Sequence, residues 1–114
     1  MSQHGGLTVE RWSRFTLDQR ILMIANELHR ASGFLTPEGT PSRWLAYERV
    51  LSLAQLTVEA GLRFAFLREF LRWRDLVAAL RASEAPDERA HREALRALLS
   101  FTPEAARQIP HVLP

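Results

Sequence analysis

The chain has 114 residues, enough for one domain that buries a core without disulfides or metal. It has no cysteine, which excludes disulfide frameworks, thiolate zinc sites and thiol nucleophiles, and all 15 of its basic residues are Arg, set against 13 acidic ones. The net charge is only +2, so the pI near 10.3 reflects the high pKa of Arg and overstates the basicity of the surface.

Leu, Ala, Arg and Glu account for 58 of the 114 residues, a bias toward strong helix formers that predicts an all-α fold. No apolar run reaches the roughly 18 residues that span a bilayer, and residues 1–6 have neither a basic start nor an apolar stretch behind them. No membrane association is expected, and the reading is a single soluble, cytoplasmic domain over 1–114. Residues 1–6 are expected to be disordered. A short helical turn is predicted within 7–15, started by Thr8 and anchored by Trp12 and Phe15.

The first long helix is predicted over 16–32. Thr16 and Gln19 have capping-box spacing, and Leu17, Ile21, Ile24, Leu28 and Ala31 form one stripe by their 4, 3, 4, 3 spacing. After a turn-rich loop at 33–39, Thr40 and Pro41 read as an N-cap followed by a first-turn proline, opening a second helix over 41–60. Trp44, Tyr47, Val50, Leu51, Ala54 and Val58 face inward. Leu45, Leu53 and Leu56 fall outside that stripe, so the helix carries more apolar surface than one face requires. Gly61 is predicted to break the chain there; the alternative is a single helix of about 42 residues, uncommon outside coiled coils.

The third helix, over 62–82, has two apolar seams. At about 100° per residue, Phe66, Phe70, Trp73, Val77 and Leu80 share one face, while Phe64, Leu67, Leu71 and Ala78 share a second on roughly the opposite side. The fourth helix is predicted over 86–100, with Asp87 and Glu88 in its first turn, Arg92 and Arg96 later, and Leu95, Leu98, Leu99 and Phe101 as apolar contacts. Thr102, Pro103 and Glu104 start a short C-terminal helix that Pro110 should stop, leaving 110–114 as a loose tail.

Four main helices with short connections fit an antiparallel bundle. In a monomer the second seam would stand in water, a larger apolar patch than soluble monomers usually carry. A homodimer or protein partner that covers Phe64, Leu67, Leu71, Ala78, Leu45, Leu53 and Leu56 is the simplest remedy, and two-fold dimers are the commonest oligomers. Alternatively, segment 7–15 and the C-terminal helix fold over the seam within one chain.

No catalytic residue is assigned. Of the four histidines, His4 and His111 are near the ends, and His29 closes the first helix beside the core stripe. His91 follows Glu88 by three residues, the Glu-x-x-His spacing of two-metal bundle proteins, which need two such pairs and further inward carboxylates. Glu88 and His91 are thus weak metal candidates, with Glu59 or Glu27 as extra ligands, and pairing of Glu88 with Arg92 explains the glutamate more simply. No serine has an elbow or an identifiable base, and no glycine pattern cradles phosphate, so no cofactor is expected. Arg63, Arg68, Arg72, Arg74 and Arg81 make the third helix locally basic, but Glu69 and Asp75 interleave and the arginines lie on two flanks, which disfavours nucleic acid.

Dimeric helical nucleases of the HEPN type resemble the chain in length and architecture. Their signature is an Arg and a following His with four to six residues between them; here Arg107 and His111 are one residue too close, and Arg20 and His29 too distant. The resemblance is therefore architectural only, and the missing motif weighs against nuclease activity. The leading expectation is a non-enzymatic, homodimeric protein-interaction or adaptor module. A nucleic-acid-associated or nuclease-like bundle comes second and a metal-binding bundle third.

Overall fold

In the computed structural model, residues 7–114 are described, and every regular element among them is helical. The α-helices are α1 (Val9–Trp12), α2 (Leu17–Arg30), α3 (Thr40–Ala60), α4 (Phe64–Ala82), α5 (Glu88–Leu99), α6 (Pro103–Ala106) and α7 (Ile109–Val112). Two short 3-10 turns, Ala31–Phe34 and Pro37–Gly39, join α2 to α3. The all-α prediction holds: α1 is the short turn expected within 7–15 and α6 the expected short C-terminal helix, while the two 3-10 turns and α7 lie outside the prediction. The N-terminal stretch expected to be disordered, 1–6, lies outside the described residues.

The caps show why the helices start where they do. The Thr16 hydroxyl accepts from the Gln19 amide at 3.1 Å while the Gln19 side chain accepts from the Thr16 amide at 2.8 Å, the reciprocal box read from the sequence. Thr8, Asp87 and Thr102 each accept one amide of the following turn. α3 differs from its prediction: Thr40 is already helical, and Gly39 occupies the N-cap. A Cβ at Gly39 would lie 2.6 Å from the Phe34 carbonyl oxygen, so the tight turn needs glycine for space. Gly61 ends α3 at φ 97°, a left-handed conformation that L side chains avoid. The predicted break is therefore real, and α4 follows after three residues.

α3 is the centre of the molecule. It packs against α1, α2, α4 and the 3-10 turns, and Ala46, Tyr47, Val50, Leu53, Ala54, Leu56 and Thr57 are buried over about half of its circumference. The Trp12 indole of α1 donates to Thr57 Oγ1 at 2.8 Å, and that hydroxyl donates to the Leu53 carbonyl at 2.9 Å, so the buried polar atoms are paired. This corrects one expectation. Leu53 (4% exposed) and Leu56 (fully buried) belong to the chain's own core and are no part of an outer face.

α3 and α4 form a hairpin with opposite directions, since Trp44 meets Ser83, Glu48 meets Arg81 and Gln55 meets Arg74. The first seam of α4 is core as predicted: Phe70, Trp73, Val77 and Leu80 are buried, and Phe66 is half-buried against Phe70 and Phe101. Trp73 Nε1 donates to the Ala94 carbonyl of α5 at 2.9 Å. The C-terminal tail is also held, contrary to expectation. Pro110 sits in the first turn of α7, where a missing amide costs no hydrogen bond, and Leu113 is buried. No helix among the described residues is long and apolar enough to cross a membrane.

Candidate functional site

Two regions hold the residues that sequence reasoning singled out. The first is interior. His91 lies on α5 in register with Ala94, Leu95 and Leu98, and that stripe carries it into the core, where it is 1% exposed. Its Nδ1 is 2.9 Å from the Tyr47 hydroxyl on α3, and its Nε2 is 2.9 Å from the Ser32 hydroxyl in the first 3-10 turn. Burial first, then the positive charge of His29 and Arg92, lowers its pKa from 6.5 to about 4, so the ring is neutral at physiological pH. Burial likewise raises the Tyr47 phenol to about 12.

A neutral imidazole offers one donor and one acceptor, and hydrogen counting assigns them. If Nδ1 carried the proton, the buried Tyr47 hydroxyl would accept it and leave its own hydrogen without a partner. With Tyr47 donating to Nδ1 and Nε2 donating to Ser32, the only hydrogen left over belongs to Ser32, which is half-buried and reaches solvent. In that tautomer Nε2 has no lone pair for the serine proton. The Ser32, His91 and Tyr47 set therefore fastens three elements together and does not activate Ser32 as a nucleophile.

The metal expectation for Glu88 and His91 is corrected by the same geometry. Both ring nitrogens of His91 are hydrogen-bonded inside, whereas Glu88 is exposed. No group of three or more His, Cys, Asp or Glu placed to hold a metal ion occurs among the described residues. On α5 the observed i, i+4 ion pair is Arg89 with Glu93 at 3.3 Å. One oxygen of Glu27, a candidate extra ligand, is buried without a hydrogen-bond partner among the described residues.

Arg43 lies at the same end of the molecule and was not singled out from sequence. It is 1% exposed, and its guanidinium donates to the carbonyls of Phe34, Thr36 and Glu84 and to the Thr40 hydroxyl, at 3.0 to 3.3 Å. These acceptors are all uncharged. The planar five-donor fork of Arg thereby closes two loops, the α2 to α3 connection and the α4 to α5 connection, onto the start of α3. The signal that could have found it is its place on the inner stripe with Ala46, Tyr47 and Val50.

The second region is the outer face of the α3 and α4 hairpin. Phe64 is 75% exposed and Leu45 is 49% exposed; Ala78 is exposed, and Leu67 and Leu71 are half-buried. Among the described residues, α1 packs chiefly on α3 and α6 on α2, and Phe101, between α5 and α6, meets the inner seam of α4 through Phe66, Phe70 and Trp73. Leu76, 55% exposed, stands apart beside a shallow groove shared with Ala79, Ala90 and Glu93. Several α4 arginines are held within the chain: Arg72 pairs with Glu69 at 3.1 Å, Arg74 meets Gln55 at 3.4 Å, and Arg81 pairs with Glu48 at 2.7 Å while its guanidinium lies 4.7 Å from the Trp44 ring centre. They are bound to neighbours and do not form a free basic stripe. No protein-family model, no curated protein and no solved structure matches this chain.

Proposed function

We propose that the protein is a small, non-enzymatic helical interaction module of the cytoplasm that self-associates as a homodimer through the outer face of α4. The four longer helices are read as an antiparallel bundle that serves as a rigid frame for that face. The observation that carries the proposal is Phe64. A phenylalanine three-quarters exposed at the start of a well-packed helix, with Leu67, Leu71 and Ala78 continuing its stripe, is apolar surface that the described residues leave in water. About 25 cal/mol per Å² of such surface favours a partner, and a second copy is present wherever the first is.

The interior polar groups support the non-enzymatic side of the reading. Ser32 and Tyr47 bind the two ring nitrogens of His91, and Arg43 binds three backbone carbonyls and the Thr40 hydroxyl. Light scattering at two protein concentrations tests the proposal. The mass is expected to rise from that of one 13.1 kDa chain toward twice that value as concentration increases. A monomer at both concentrations that binds nucleic acid with steep salt dependence would replace this reading with the nucleic-acid one.

A further inference from the structure

The outer stripe of α4 holds more than apolar residues. Phe64, Arg68, Leu71, Asp75 and Ala78 recur at 4, 3, 4, 3 spacing, which places all five on one face of the helix. All but Leu71 are exposed, and Leu71 is half-buried. Among the described residues, neither Arg68 nor Asp75 is in an ion pair, in contrast to Arg72 with Glu69 and Arg81 with Glu48. Seven residues, about 10 Å along the axis, keep Arg68 and Asp75 from pairing within their own helix.

The order of these residues is antisymmetric about Leu71. Reversing the helix exchanges a large apolar side chain for a small one and a cation for an anion, and returns Leu71 to itself. We infer that two copies pair α4 against α4 in antiparallel orientation, with the two-fold axis at Leu71. Phe64 then lies over the partner's Ala78, and Arg68 lies beside the partner's Asp75, each contact occurring twice. This rests on the proposed self-association and fixes its geometry.

Two features select this orientation. A parallel pairing in register would set Arg68 against the partner's Arg68 and Asp75 against the partner's Asp75, which is repulsive at both places. It would also set Phe64 against the partner's Phe64 and Ala78 against the partner's Ala78, alternately crowding and emptying the interface. The antiparallel pairing fits large to small at both ends, as close helix packing at about 20° requires. Exposed charge pairs add little affinity, but they decide between orientations of similar apolar content.

The test uses the full chain, whose lack of cysteine makes single-cysteine variants unambiguous. Under mild oxidation Leu71→Cys is expected to form a covalent dimer. Phe64→Cys alone is not, since the two copies of residue 64 stand about 20 Å apart along the axis and a disulfide needs Cα atoms within about 7 Å. Mixing Phe64→Cys with Ala78→Cys chains should restore cross-linking. In parallel, Arg68→Asp or Asp75→Arg should weaken the dimer by about tenfold, and the double variant should recover most of that loss. These two positions are exposed, so the charge exchange tests the pairing even if a cysteine at the half-buried Leu71 disturbs folding. A dimer that cross-links through Phe64→Cys alone, or one that the double exchange fails to rescue, overturns the antiparallel geometry while self-association stands. A chain that stays monomeric at every concentration overturns both.

Discussion

His91 sits among apolar side chains with both nitrogens engaged, and its pH response follows from that placement. In the unfolded chain it binds a proton near its ordinary pKa of 6.5, whereas in the fold it does so only near 4, so between those values the unfolded state holds more protons. Stability is therefore full above about pH 6.5 and is lost as pH falls toward 4, by up to about 3 kcal/mol if the whole shift is realised. Urea unfolding across that window should show the slope. A His91→Gln variant should be weaker at neutral pH but flatter, and an unchanged slope in that variant would assign the effect elsewhere. Arg43 is the second decisive residue. Replacing it with Met should cost about 2–4 kcal/mol, because the carbonyls of Phe34, Thr36 and Glu84 lose their donor in a buried setting. A loss under 1 kcal/mol in the same unfolding measurement would show that water replaces the guanidinium freely.

At the scale of elements, Gly61 separates two helices that would otherwise compete to become one. Its φ of 97° is strained for any residue with a Cβ, although the space around it is open, so Gly61→Ala should cost about 1 kcal/mol through the backbone alone. Thermal unfolding measures this, and no loss would mean that the turn rearranges. Three helix starts were legible because capping is local: Thr8, Thr16 and Thr102 each accept the amide three residues on. The start of α4 reads two residues early, at 62 instead of Phe64, because its N-cap Arg63 makes no side-chain capping bond that the sequence could signal. Leu53 and Leu56 were not legible, because periodicity shows that a helix has an inward stripe but not where it is centred: the buried stripe of α3 runs through Ala46, Val50, Leu53 and Thr57, turned toward Leu53 and Leu56 and away from the half-buried Trp44 and Leu51. His91 misled for a related reason. Its spacing from Glu88 is local and visible, while its spacing to Ala94, Leu95 and Leu98, which sets its burial, points to partners 44 and 59 residues away. The α7 turn was missed because Pro110 reads as a stop, yet proline is tolerated in a first turn.

For the whole molecule, the apolar excess read from the sequence divides in two. The part on α3 is consumed by the fold, since α1 lies on α3 and leaves only Leu45 substantially exposed there. The part on α4 persists as the stripe that runs from Phe64 to Ala78. That division sharpens the functional reading from apolar surplus on two helices to one face of one helix. It also sets that face against an interior whose histidine, tyrosine and arginine hold loops together. The measurement that tests this most directly is sedimentation of the wild-type chain beside Phe64→Glu over a wide concentration range. Because Phe64 is 75% exposed, the substitution should leave folding intact as judged by helical circular dichroism. The wild type is expected to approach twice 13.1 kDa at high concentration while Phe64→Glu remains at 13.1 kDa throughout. A variant that dimerises as readily as the wild type would contradict the assignment of the interface to α4.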